Sequence, residues 1–436
     1  MFDPRRLPFY YGWIIVAVSF LTMGIIFGVW YSFSVFYVAI LKDFAWSRAS
    51  TAGIFSLFTI THYFAALGAG WCIDRYGPRL VIPIGAAWLS GVLLLLSRAD
   101  SLLDFYLGYG ILAAIGVSLT GFVPHSALLP RWFSRRRGLA FGIAMAGIGV
   151  GMLIIPSTMQ FLIESSSWRR AYCVLAFIVL LIIPINLFFQ RRSPAAIGLI
   201  ADGAETNDNN DNDTHDAAAP LPEKRAVVLD PVWDAVDWTR GKALRTRRFW
   251  FLVGAFFCGP FAIQGILLHA VAGMAAKGIE TTLAASIFGL LGLCSSGGKI
   301  TLGFFGDRWN RETAHTIGMT AASFGTLALI GVGIAPKLMP YLFALSFGFG
   351  YGAVAPLFPA IAADIFQGSH FGRIFAVLSL SLGFGGAAGA WFSGFIFDLT
   401  SSYTVAFSCD IAALWISCFC FWFAAPRKIR RSRPQG

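Results

Sequence analysis

The sequence predicts an all-α membrane protein with twelve transmembrane helices in two six-helix pseudo-symmetric halves. Three observations carry this. The apolar residues gather into runs of roughly 20 or more, enough to cross a hydrocarbon core of about 30 Å as helix. Only 13% of the 436 residues are charged and 57% are hydrophobic, whereas a soluble domain carries about 25% charge. A pair of motifs from the first half also returns in the second. Strands at membrane depth would need a closed barrel, which these long uninterrupted runs do not suggest.

Reading apolar runs against interrupting charges places the first six helices near Tyr11–Leu41, Ala49–Ile73, Leu80–Ser97, Phe105–Pro130, Gly138–Ile163 and Ala171–Phe189. The second six are expected near Phe249–Ala275, Leu283–Gly306, Thr313–Ala335, Tyr341–Ile365, Ile374–Phe397 and Val405–Phe423. An even number of spans puts both termini on one side. Short loops rich in Lys and Arg stay in the cytoplasm, and roughly 25 of the 33 such residues fall inside when the termini do. Arg131, Arg135, Arg136, Arg137 and the tail from Arg427 to Arg433 are among them. The expected location is therefore a bacterial inner (plasma) membrane with both termini cytoplasmic.

The net charge of +11 sits in short loops between apolar spans, not on one continuous face, so it indicates topology and not nucleic-acid binding. Contact of the basic tail with anionic membrane lipid is a secondary expectation. The seven cysteines lie in or at the ends of apolar spans, without disulfide or metal-ligand spacing, and serve as packing residues. The first apolar run is about 30 residues and has no small-residue cleavage site, so it is not taken as a signal peptide.

The division expected is an N-terminal bundle over 1–189, a partly disordered cytoplasmic linker over 190–248, and a C-terminal bundle with its basic tail over 249–436. Asn207–Asp216, almost wholly Asp, Asn and Thr, carries the compositional signature of disorder. Asn212-x-Thr214 fits a glycosylation acceptor, which a cytoplasmic linker would never present. Gly70-x-x-x-Asp74-Arg75 recurs as Gly303-x-x-x-Asp307-Arg308, and Ser167-Trp168-x-x-Ala171-Tyr172 as Ser402-Tyr403-x-x-Ala406-Phe407. The offset holds within about two residues, so the chain is internally duplicated, with halves related by an axis along the membrane normal.

Here the chain resembles the major facilitator superfamily, whose loop between helices 2 and 3 reads Gly-x-x-x-Asp-Arg-x-Gly-x-Arg. Gly70, Asp74, Arg75, Gly77 and Arg79 match it; the second copy has Asn310 in place of the later glycine, which predicts a looser turn. A finer resemblance is to the monocarboxylate-porter and oxalate/formate-antiporter branches. It rests on Tyr11-Gly12-Trp13, on Trp132-Phe133-Ser134-Arg135-Arg136-Arg137-Gly138-Leu139-Ala140, and on Arg192-Ser193-Pro194-x-x-Ile197-Gly198-Leu199. The resemblance implies a secondary transporter, with no cofactor and no catalytic or metal site. No enzyme constellation stands in a recognisable context either: Gly383-x-Gly385-x-x-Ala388 lies inside a span without a preceding strand, and like Gly147-x-x-x-Gly151 it reads as close helix packing.

Lys299 is the most informative candidate. A charge deep in a span costs about 2.5–3.5 kcal/mol on insertion scales, and Lys299 falls roughly 12 Å of helix before Asp307 at 1.5 Å per residue. An anionic substrate would suit it; the alternative is a snorkelling or structural cation. In the resembling branches an arginine usually holds this place and receives the substrate carboxylate, and lysine keeps the charge without the planar fork. The oxalate/formate branch implies a second lysine in helix 11, where Leu382, Ser379 and Ser381 stand here, which argues for a monocarboxylate. Animal members of the monocarboxylate branch carry an acid one turn before the cation, where this chain has Ser295.

Among titratable groups, His62, His125 and His269 fall within spans, and His125 and His269 are candidates for the cavity, with helix-to-helix hydrogen bonding as the alternative. Tyr31, Gln264, Ser295, Ser296 and Tyr351 are the polar companions, each equally usable in packing. Asp364 and Asp410 fall near span ends and Glu164 at the outer face, so none reads as a central proton carrier. Asp74 and Asp307 are expected at a cytoplasmic gate, capping helix N-termini of the opposite half, with Arg75, Arg79, Arg136 and Arg308 as partners. The function implied is alternating-access carriage of a small organic anion, with proton symport or anion exchange. Efflux of an amphipathic compound and a transport-like sensor are the alternatives.

Overall fold

The structure, a computed structural model, describes residues 9–133, 136–200, 227–368 and 370–431. Ser134, Arg135, the acidic stretch Asn207–Asp216 with its Asn212-x-Thr214 match, and Arg433 lie outside the described residues. Twelve helices among the described residues are long and apolar enough to span a membrane. The first six are α1 (Gly12–Phe44), α2 (Arg48–Tyr76), α3 (Pro78–Leu96), α4 (Leu102–Trp132), α5 (Gly138–Ser165) and α6 (Trp168–Phe189). The second six are α7 (Arg247–Ala275), α8 (Thr281–Arg308), α9 (Arg311–Gly333), α10 (Met339–Ile365), α11 (Phe371–Thr400) and α12 (Thr404–Lys428). Each expected run corresponds to one of them.

Local chemistry sets the boundaries. The Ser47 hydroxyl accepts from the Ser50 N–H to start α2, Ser167 does the same for Arg170 in α6, and Thr246 for Phe249 in α7; such caps satisfy N–H groups that have no partner inside the helix. Between α2 and α3, Gly77 takes a positive φ of 81°, open to glycine without strain, and Pro78 opens the next helix. The equivalent turn between α8 and α9 is not looser. Asn310 has an extended backbone and its side-chain oxygen accepts the Thr313 N–H at 2.7 Å, so a cap replaces the glycine.

Two spans are not continuous helix. In α4 a π-helical stretch, Tyr106–Ala113, is followed by a break at Gly121. In α10 the helix divides at Gly352, where a Cβ would lie 2.5 Å from the Lys299 backbone nitrogen. π-segments and breaks of this kind gather at functional positions.

Packing repeats between the halves. Glycines on α5 let α1 approach: a Cβ at Gly147 would lie 2.2 Å from the Phe20 oxygen and one at Gly151 1.9 Å from that of Gly24. On α11, Gly385 and Gly389 do the same towards Phe257 and Phe261 of α7, at 2.1 and 1.9 Å. This is the small-residue packing by which helices associate in lipid, where burial of apolar surface drives little. The halves meet along two equivalent seams, α2 against α11 and α5 against α8.

The linker carries structure where it is described. Val227–Val228 pairs antiparallel with Arg430–Arg431, joining linker to tail. Trp233 donates to the Ile365 carbonyl at 2.8 Å, packs tilted against Trp238 with ring centroids 4.4 Å apart, and lies 4.3 Å under the Arg248 guanidinium. These aromatic anchors fasten this part of the linker to the end of α10, at Ile365 and Phe366.

Candidate functional site

Lys299 stands nine positions before Arg308, the last residue of α8, about 13 Å along the helix axis. Small residues surround it for a steric reason: a Cβ on Gly298 would lie 2.1 Å from the Phe349 oxygen, so α8 and the broken α10 touch backbone to backbone. That contact sets the Tyr351 ring with its centroid 5.9 Å from the Lys299 ammonium. The Tyr351 hydroxyl shares a 2.6 Å hydrogen bond with the hydroxyl of Tyr31 on α1. Lys299 is partly buried, and among the described residues no carboxylate forms an ion pair with it. An ammonium at a phenol ring face, beside a pair of hydroxyls of which one already donates to the other, is chemically suited to a carboxylate, which can accept from the ammonium and compete for the phenolic protons.

The other candidates are dispersed. Gln264 packs on Gly386 of α11, and Ser296 meets Gly149 of α5, so both sit at or next to the seams. Ser295 is buried in α8. His125 lies in the core of the first half; its Nδ1 bonds the Gly121 carbonyl at 2.7 Å, at the break in α4, and its Nε2 has no partner among the described residues. His269 belongs to the end of the bundle remote from the termini, with Nε2 donating to the Ala390 carbonyl at 2.9 Å and Nδ1 bonded to the Tyr403 hydroxyl at 3.1 Å. Thus the structure gathers Lys299, Tyr351 and Tyr31 and sets the rest apart.

That remote end is closed by acids placed on helix N-termini of the opposite half. Asp398, at the end of α11, accepts the backbone N–H groups of Arg48 at 2.9 Å and Ala49 at 2.8 Å. Glu164, at the end of α5, accepts from the hydroxyls of Thr281, at 2.6 Å, and Thr282, both opening α8. Carboxylates are favoured there by the unsatisfied N–H groups and the helix dipole. The Arg48 guanidinium also bonds the Tyr403 hydroxyl and stacks 3.7 Å over the Phe397 ring. Burial pushes the Tyr403 phenol up to about 12, against the opposing pull of Arg48, so it remains a neutral donor at ordinary pH. Asp398, Arg48 and Tyr403 were not among the sequence candidates. The signal was present, since 398 − 164 = 234, within the offset of the duplicated motifs.

The end carrying the termini has no equivalent closure among the described residues. Asp74 pairs within its own half with Arg131 at 3.6 Å, and Asp307 with Arg311 at 3.9 Å, while Arg311 reaches Asp364 at 2.8 Å. Arg79 donates to the Leu187 carbonyl at 3.2 Å, Arg75 lies 5.3 Å over the Trp71 ring, and Arg136 precedes α5; among the described residues no ion pair to Arg308 joins the halves. A Cβ on Gly68, Gly138, Gly142 or Gly297 would meet nothing within 4 Å. Farther along the same helices Gly149 and Gly289 abut the opposite half, at 2.2 and 2.9 Å. The halves therefore diverge towards the termini. At that mouth a cavity of about 690 Å³ is bounded by Leu67, Arg240, His370 and Arg373.

The chain is similar to several transporters over nearly its whole length. It is 27% identical to monocarboxylate transporter 13 of Rattus norvegicus, over 91% of this chain and 85% of that protein. It is 27% identical to monocarboxylate transporter 12 of Mus musculus (97% and 87%) and to the oxalate:formate antiporter of Oxalobacter formigenes (91% and 90%). Its fold matches the crystal structure of a bacterial homolog of the human lysosomal transporter Spinster, in an inward-facing and unoccupied conformation. The TM-score there is 0.66 at 16% identity, covering 96% of this chain and 98% of the other. Residues 18–362 match the model of the Major Facilitator Superfamily, and this twelve-helix integral membrane protein belongs to that family of transporters.

Proposed function

We propose that this protein carries a small monocarboxylate across the membrane by alternating access, together with a proton. The observation that carries the proposal is Lys299, an ammonium within α8 that lacks a carboxylate partner among the described residues and faces the Tyr351 ring. A substrate carboxylate would supply the missing partner, and the Tyr31 and Tyr351 hydroxyls would orient it. The absence of a second lysine near Leu382 favours one carboxylate over two, since a second anionic group would be left unpaired in low dielectric.

The placement of contacts supports the cycle. With the Lys/Arg-rich termini in the cytoplasm of a bacterial inner membrane, the structure corresponds to an inward-facing arrangement, sealed outside by Asp398 and Glu164. Asp74 and Asp307, engaged inside their own halves here, would then be free to cap the opposite half when the cytoplasmic side closes.

Uptake into proteoliposomes tests the assignment. Lactate should enter under an inward proton gradient, and Lys299→Ala should abolish that entry while the protein remains folded. Failure of every lactate-sized monocarboxylate to enter would refute the substrate class.

A further inference from the structure

Asp410 lies one and a half turns into α12, and none of its surface is exposed. Its place near a span end does not leave it in solvent, because α7, α9 and α11 pack around α12. The Asp410 Oδ2 accepts from the Ser393 hydroxyl of α11 at 3.4 Å, a long bond, and Oδ1 has no partner among the described residues. On α7 the facing residue is Gly265, where a Cβ would stand 3.0 Å from both carboxyl oxygens and 2.8 Å from the Ser393 hydroxyl. The glycine makes the room that the carboxyl occupies.

Among the described residues no cation pairs with this carboxyl. From α7 comes Gly265 and, one turn on, His269, whose two nitrogens are engaged by Tyr403 and Ala390. From α11 comes Ser393. The titratable groups of α9 lie farther along α12, with His315 at Ser417 and Glu312 at Arg427. A buried carboxylate with no paired cation and one long hydrogen bond is strongly disfavoured against the neutral acid. Two of the surrounding helices also reach the opposite half. His269 of α7 meets Tyr37 of α1 edge-on at 5.1 Å, and α11 ends in Asp398 on the α2 N-terminus.

We infer that Asp410 is the proton-binding group of the transport cycle, holding its proton while α7 and α11 close over it and releasing it when they draw away. This deepens the proton-coupled carrier reading and rests on it. The bound proton is carried on a carboxyl oxygen behind the substrate path, so substrate and proton occupy different places and are linked through the position of α7 and α11.

Infrared difference spectra of the purified full-length protein, parent minus Asp410→Asn, test the proton directly. A protonated-carboxyl C=O band at neutral pH is expected, and its absence overturns the inference. Ser393→Ala should move that band by removing the hydrogen bond to Oδ2; an unmoved band also overturns it, and this variant serves if the asparagine variant does not fold. In proteoliposomes the probe is lactate. Asp410→Asn should retain lactate exchange while losing the accumulation, up to about tenfold per pH unit, that an inward proton gradient drives in the parent. Undiminished accumulation would refute the assignment. A parent that exchanges no lactate would instead refute the substrate reading, and the infrared result would still decide the fate of Asp410.

Discussion

Tyr31 of α1 and Tyr351 of α10 share a hydrogen bond of 2.6 Å that joins the two halves beside Lys299. Both phenols sit on rigid rings, Tyr31 at 6.3 Å from Phe288 of α8 and Tyr351 against the ammonium. A bond that spans the halves at the level of the cation links occupancy of the site to their relative position. A carboxylate bound at Lys299 would compete for the same hydroxyls. Replacing either tyrosine by phenylalanine is expected to raise the KM for lactate several-fold and lower thermal stability by only about 1 kcal/mol, the net worth of one such bond. Uptake kinetics alongside thermal unfolding would check this; a stability loss with unchanged KM would assign the pair to packing alone.

The charge on Lys299 should matter more than its shape. Truncating one partner of a hydrogen-bonded charge pair costs about 2–5 kcal/mol, which predicts that Lys299→Met lowers lactate uptake on the order of 30-fold or more. Lys299→Arg should retain part of the activity, because the guanidinium keeps the charge and adds donors. Equal loss in both variants, measured as kcat/KM in proteoliposomes, would contradict a carboxylate-receiving cation.

The seal at the remote end makes a separate prediction. Asp398→Asn replaces a carboxylate on the Arg48 and Ala49 N–H groups with a neutral amide. The group is exposed, so the expected loss is modest, about 1 kcal/mol, or roughly fivefold in the balance between the two arrangements. Distances between spin labels on α2 and α11 at that end should show a larger open fraction in Asp398→Asn, and larger still when Glu164→Gln is added. An unchanged distribution would show that the seam glycines and Tyr403, not the acids, hold the end shut.

Much of this architecture was legible in the sequence for a physical reason. Lipid leaves backbone groups no partner but each other, so twelve apolar runs had to become twelve helices. The duplicated Gly70 and Gly303 motifs similarly predicted equivalent halves. Lys299 and Tyr351 could be picked out as candidates because a charge and a phenol inside apolar spans are visible locally. What could not be read was facing. His269 and His125 are alike in sequence context, yet one joins the closed end and the other the core, because helix rotation is set by contacts such as Gly385 on Phe257. Asp410 was concealed by the same limit, since its burial depends on Gly265 and Ser393 from two other helices. The linker segment 227–248 was hidden because its aromatic anchors have meaning only against Phe366 and Ile365.

The tail is tied to the bundle by a pair that composition would assign to lipid. Glu312 is nearly inaccessible in α9, and its Oε1 accepts the Arg427 backbone N–H at 3.0 Å and its guanidinium at 3.2 Å. Breaking a fully buried pair costs about 3–5 kcal/mol; because Arg427 is partly exposed, about 1–3 kcal/mol is expected for Glu312→Gln. Thermal unfolding in detergent should register that loss, and Arg427→Gln should give a similar one if the pair acts as a unit. A destabilised Glu312→Gln beside an unaffected Arg427→Gln would mean that the backbone N–H is the partner that matters.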